Sequence, residues 1–101
     1  HGRLRERRPL PPAAGVGGAV YVTAYDVVLG ADSWTEVVCP YTIPEEYRPG
    51  TDHVAPCVNY SAAVTNSALW VSKGGTIKVQ NLGGAGARAP RYGTLSYPIG
   101  L

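Results

Sequence analysis

Methionine and phenylalanine are absent from this chain of 101 residues, and cysteine and histidine occur only twice each. No apolar run approaches the roughly 18 residues that cross a bilayer as a helix, so membrane insertion is not expected. A translated chain begins with methionine, and a sequence holding none reads as a fragment or a processed product. Its opening, His1 followed by Gly-Arg-Leu-Arg-Glu-Arg-Arg, lacks the apolar core of a secretory leader. Cys39 and Cys57 belong to no Cys-x-x-Cys pair, and the histidines are His1 and His53, so the pattern carries no metal signature and calls for no cofactor. Small domains that depend on disulfides usually carry four or more cysteines. Two reduced, partly buried thiols are therefore expected, with a single Cys39 to Cys57 bridge as the alternative. Long helices are excluded as well: with 13 glycines and nine prolines, the longest stretch free of both runs from Cys57 to Lys73.

What remains is one short domain of ordinary apolar content, 45% hydrophobic, with a formal charge of +2. That charge is uneven. Four arginines and one glutamate lie in His1 to Arg8, leaving five basic and six acidic residues for the rest. The body is nearly neutral, so the arginine run is read as a solvated tail and no specific nucleic-acid partner is expected.

Residues 1 to 18 read as a flexible connector, the basic run leading into Pro9-Leu10-Pro11-Pro12 and then Gly15, Gly17 and Gly18. From Ala19 the texture turns β-branched and aromatic, and Val20 to Leu29 predicts a strand. Further strands are expected over Trp34 to Cys39, His53 to Tyr60 with Pro56 at an edge, and Tyr92 to Ile99. Residues 61 to 67 read as a loop, and Gly74-Gly75 between alternating runs predicts a hairpin from Leu69 to Gln80. Pro40, Pro44 and Pro49 forbid regular structure between Tyr41 and Gly50. About six to eight short strands separated by breaker-rich turns define an all-β, antiparallel chain over residues 19 to 101, a β-sandwich of jelly-roll-like or Ig-like kind or a small barrel.

Catalysis is poorly provided for. Nucleophilic mechanisms need a base oriented by a third group, and the one internal histidine, His53, adjoins Asp52 on a strand where neighbours point to opposite faces. Glu45 and Glu46 are adjacent in a turn, whereas a glycosidase pair faces across a cleft. The chain is read as no enzyme. Binding chemistry is better represented, because two tryptophans and seven tyrosines supply rings that suit surfaces with one wet end. Trp70, Trp34 and Tyr92 are the candidate interface or ligand aromatics. Alternation in Leu69-Trp70-Val71 sends the two aliphatics inward and the indole outward.

Ile43-Pro44-Glu45-Glu46-Tyr47-Arg48-Pro49 resembles the Leu/Ile-Pro-x-x-Tyr/Phe-Arg-Pro turn of the C-terminal head domains of phage tail fibres and baseplate receptor-binding proteins. A tryptophan-bearing strand precedes it, the hairpin Trp70 to Val79 follows with Lys73-Gly74 where such domains carry Asp-Gly, and Leu95-Ser96-Tyr97-Pro98 closes the chain. The resemblance, from Ala19 to Leu101, implies a homotrimeric β-sandwich head that attaches a virion to bacterial surface saccharide or protein, at the distal tail fibre or baseplate, after assembly in the bacterial cytoplasm. The alternative is a structural virion or bacterial-surface sandwich used for assembly. The turn also makes physical sense on its own. Pro44 and Pro49 fix φ at both ends, Tyr47 tucks its ring beneath, and Arg48 donates to bend carbonyls, so Ile43, Pro44, Tyr47, Arg48 and Pro49 are assigned a structural role.

Overall fold

Val20, Val22 and Ala24 are buried while Tyr21 and Tyr25 are exposed, and this period of two builds the central strand of one sheet in the computed structural model, which describes residues 3–7, 18–60, 66–84 and 86–99. That strand, β2 (Ala19–Leu29), lies between β1 (Arg3–Arg7) and β7 (Ala89–Pro98), antiparallel to both. A second antiparallel sheet holds β3 (Glu36–Val38), β6 (Ile77–Asn81), β5 (Ser67–Val71) and β4 (His53–Cys57), in that order. The chain is all-β among the described residues, apart from one 3₁₀ turn at Glu45–Tyr47.

One core serves both sheets. Val20, Val22, Val27, Leu29, Leu95 and Tyr97 from the first meet Cys57, Leu69, Val71, Ile77 and Val79 from the second, with Ile43 added by the connecting segment. The sheets also touch through backbone: Val58 and Tyr92 exchange two hydrogen bonds of 2.8 Å, which joins the end of β4 to β7. Gly93 permits that approach, because a Cβ there would stand 3.0 Å from the Cys57 Sγ and 3.1 Å from the Pro56 carbonyl oxygen.

The strand expected from Val20 ends at Leu29 as read, and the β5–β6 hairpin forms with Val71 opposite Ile77 and Gly75 at φ 88°. Other boundaries move. The Trp34 to Cys39 strand shrinks to Glu36–Val38, since Trp34 adopts a positive φ of 68° that no ladder accommodates. His53 to Tyr60 divides into β4 and the Val58 bridge, with Pro56 on the outermost strand of its sheet. The last strand begins at Ala89, three residues earlier than expected, because Ala89 to Arg91 find partners in Leu29 to Val27. Ser67 opens β5 rather than closing a loop, and residues 61–65 of that loop lie outside the described residues.

The largest departure is at the start of the chain. Arg3–Arg7, expected within a flexible connector, pairs along β2 from Arg3 opposite Tyr25 to Arg7 opposite Tyr21. Without it, β2 would end the sheet in a long row of unpaired amides and carbonyls, and a short charged strand is a common cover for such an edge. The remaining connector residues, 8–17, lie outside the described residues.

Candidate functional site

The proline-flanked turn is wired into the fold at both ends. Arg48 Nε donates to the Ile43 carbonyl at 2.8 Å, the Ile43 amide donates to Gly75 O at 3.0 Å, and the Tyr97 hydroxyl donates to the Tyr47 carbonyl. Ile43 and Pro49 are buried, Pro44 is half-buried, and the half-buried Tyr47 ring packs against the core. Gly75 is fitted to the same place: a Cβ on it would lie 2.7 Å from Arg48 Nε and 2.8 Å from Ile43 O. The turn therefore fastens the connecting segment to the hairpin and to β7.

The three aromatics singled out from sequence stand in three different settings. Trp34 is 61% exposed, and its ring edge is 3.5 Å from where a Gly83 Cβ would be. Trp70 lies on the outer face of the second sheet, as the alternation required, in a row running Val54, Trp70, Lys78, Val38 across four strands. Lys78 Nζ sits 5.6 Å from the indole centroid and 3.3 Å from Glu36 Oε1. Glu36, Asp52, Ser72 and Thr76 complete a groove of about 390 Å³ around that ring. Tyr92 is the only one of the three that stands in a cluster of tyrosine rings.

That cluster exists because β2 changes phase. Its buried residues are Val20, Val22 and Ala24, then Val27 and Leu29, a step of three where the period is two. Across the ladder Ala24 pairs with Gly93 and Val27 with Arg91, so Tyr25 and Asp26 together oppose the single residue Tyr92. This is a β-bulge, and Asp26 takes up the turn at φ 56°, a conformation Asp tolerates better than most residues. The bulge delivers the Asp26 carboxylate to the Tyr92 hydroxyl, which donates to Oδ1 at 3.2 Å.

Tyr25 packs edge-on to Tyr92 at 5.3 Å between centroids, and Tyr60, which follows the Val58 bridge, lies against it at 4.6 Å. Tyr25 is 54% exposed and Tyr60 83%. Partial burial first, then the hydrogen bond and negative charge of Asp26, raise the Tyr92 pKa, so its hydroxyl stays a donor at neutral pH. The result is an exposed strip of three rings with a carboxylate at its head. Tyr25, Asp26 and Tyr60 were not singled out from sequence, although the phase slip in β2 was visible there.

Beneath the strip lies a buried polar network. Arg91 is fully buried, donating to Ala89 O, to Ala87 O at 3.1 Å and to Asn81 Oδ1 at 2.8 Å. Asn81, also fully buried, donates to Gly30 O at 2.8 Å and Asp32 O at 2.9 Å. Burial lowers the Arg91 pKa and pushes the neighbouring Cys57 thiol up to about 11. Both cysteines are unbridged. His53 stacks on Tyr97 at 5.4 Å, while Asp52 accepts the Lys73 amide at 2.7 Å, so that carboxylate anchors the hairpin.

Comparison with protein-family models, with curated proteins and with solved structures finds no match to this chain.

Proposed function

We propose that this chain is the attachment head of a phage tail fibre or baseplate protein, a β-sandwich that binds bacterial surface saccharide at the Tyr25, Tyr92 and Tyr60 strip without catalysis. The observation that carries the saccharide reading is the bulge at Asp26. Aromatic rings held open to solvent beside a hydrogen-bonding carboxylate suit the apolar face and hydroxyl edge of a sugar ring. Spending a positive φ on a non-glycine residue to aim that carboxylate is the kind of local strain that clusters at ligand sites. The resemblance of Ile43 to Pro49 to tail-fibre turns supplies the virion setting, with assembly in the bacterial cytoplasm before incorporation.

The test is binding to an array of bacterial polysaccharides. The isolated domain is expected to retain at least one glycan, and Tyr60→Ala to lose it while melting within a few degrees of the parent, because Tyr60 is 83% exposed. A Tyr25→Ala, Tyr60→Ala double variant that binds like the parent would place the site elsewhere.

The assembly reading draws on the Trp70 row. Val54 beside the indole and Val38 beyond Lys78 remain exposed on the same sheet face, which suits contact with neighbouring copies in a homotrimer. Trp70→Ala should then shift sedimentation from trimer to monomer. A wild-type chain that is monomeric at micromolar concentration would dismiss the trimer.

A further inference from the structure

We propose that the buried polar network is an anion site, in which one halide-sized monoanion, chloride in a cell, is held between Arg91 Nε and the Ser67 hydroxyl. Cys57, Ser67 and Asn81 oppose one another in register across β4, β5 and β6. They share the parity that carries Leu69 and Val79 into the core, so they form one polar rung on the inner face. All three are buried, and Arg91 reaches the rung from β7 by donating to Asn81 Oδ1 at 2.8 Å.

Two buried donors here, Arg91 Nε and Ser67 Oγ, have no hydrogen-bond partner among the described residues. The oxygens beside them are engaged: Asn81 Oδ1, Ala87 O and Ala89 O accept from the other Arg91 nitrogens, and Gly30 O and Asp32 O accept from Asn81 Nδ2. Donors are in excess, which favours a species that only accepts. A water would bring two hydrogens into a place already short of acceptors.

Charge selects further. A guanidinium stays protonated in a protein, and every acceptor Arg91 has is neutral. Among the described carboxylates, Asp26 accepts from Tyr92, Glu36 pairs with Lys78, Asp52 accepts from the Lys73 amide, and Asp32, Glu45 and Glu46 are exposed. The side chain of Glu6 lies outside the described ones, but its backbone opposes Val22, and Val22 opposes Leu95. That places Glu6 two strands across and about 13 Å along the sheet from Arg91, whose guanidinium turns the other way, to Ala89 and Ala87. Cys57 supplies no charge, because burial pushes its thiol up to about 11 and keeps it protonated at neutral pH. A buried cation without a counter-charge is costly, and an anion taken from solution offsets that cost.

Melting of the whole chain at pH 7 would be compared in sodium chloride and sodium gluconate at one ionic strength, which holds screening constant. Once chloride exceeds its Kd about tenfold, the melting temperature should stand about 5 °C or more above that in gluconate, and the increment should saturate. Ser67→Ala removes one donor without breaking a hydrogen bond and should shrink the increment, while Arg91→Met should abolish it. Crystals of the parent soaked in bromide should show an anomalous peak within hydrogen-bond reach of both orphan donors, a reading that does not depend on either variant folding. Equal melting in the two salts overturns the proposal. So does an increment that both variants retain in full, which would put the halide on exposed arginines, and so does a water at the position of the expected bromide.

Discussion

Replacing Asn81 by alanine tests whether the buried polar network holds this fold together. The side chain is fully buried and makes three hydrogen bonds: two from Nδ2 to the carbonyls of Gly30 and Asp32, and one accepted from Arg91 Nη2. The first two are neutral and worth about 1 kcal/mol each, while the bond to the guanidinium is worth about 1.5 to 3 kcal/mol. Arg91 has no means of escaping the loss, because it is itself fully buried and its Nε already lacks a partner. The sum is a cost of about 3 to 5 kcal/mol, a large share of the roughly 5 to 15 kcal/mol that stabilises a domain. Urea unfolding followed by tryptophan fluorescence should show the midpoint falling by about 2 M or more. Arg91→Met removes the buried charge along with its donors, so the double variant should be less destabilised than the sum of the singles by at least about 1 kcal/mol. An Asn81→Ala variant within about 1 kcal/mol of the parent, or strict additivity in the cycle, would show that the network contributes little.

Gly75→Ala should destabilise by about 2 kcal/mol or more in the same assay, since it adds strain at φ 88° and drives a Cβ into Arg48 Nε and Ile43 O; a neutral result would refute the close packing of turn on hairpin. Arg48→Ala should cost about 1 to 3 kcal/mol through the Ile43 carbonyl it leaves unpaired, with glycan binding intact in the surviving folded protein. Cys57 gives a pH dependence. Its thiol pKa is raised from 9.0 to about 11 by burial, so folding favours the protonated form; that contribution is complete below pH 9 and is lost as pH rises towards 11. Stability should fall across that window more steeply in the parent than in Cys57→Ala, and parallel curves would count against burial of the thiol.

Much of this architecture follows from parity along the strands. Ile77, Val79 and Asn81 share one parity in β6, and Ala89, Arg91, Gly93, Leu95 and Tyr97 share one in β7, so alternation alone sends both Asn81 and Arg91 inward with their apolar neighbours. A polar residue on an apolar face is easily read as a strand end, which is why the pair went unnoticed in sequence although the pattern contains it. The bulge was legible by the same arithmetic, because Ala24 and Val27 cannot both face the core across an unbroken ladder. Tyr60 was not. It reaches Tyr92 only because Val58 bridges the two sheets, a pairing between segments more than thirty residues apart for which no local pattern exists. The pairing of Arg3–Arg7 was hidden for the opposite reason: its charges describe a solvated segment well, and only the unfilled edge of β2 gives that segment a place.

The buried pair and the exposed strip are two faces of one short piece of chain. Arg91 and Tyr92 are consecutive in β7, so the guanidinium that enters the core and the ring that leaves it are set by the same backbone. Arg91 ties that backbone to β6 through Asn81, and Asn81 ties it to the Gly30 and Asp32 carbonyls just beyond the bulged strand. Apolar residues of similar volume would fill the same space, and such replacements of buried charge are often neutral or stabilising. What they would not supply is direction, since hydrogen bonds of fixed geometry hold register where packing of methyl groups tolerates slip. A strip of rings assembled from a bulge in β2, one residue of β7 and a residue beyond β4 depends on register between three separate segments. The polar network lies where that register is set, which ties an otherwise costly core to the accuracy of the surface above it.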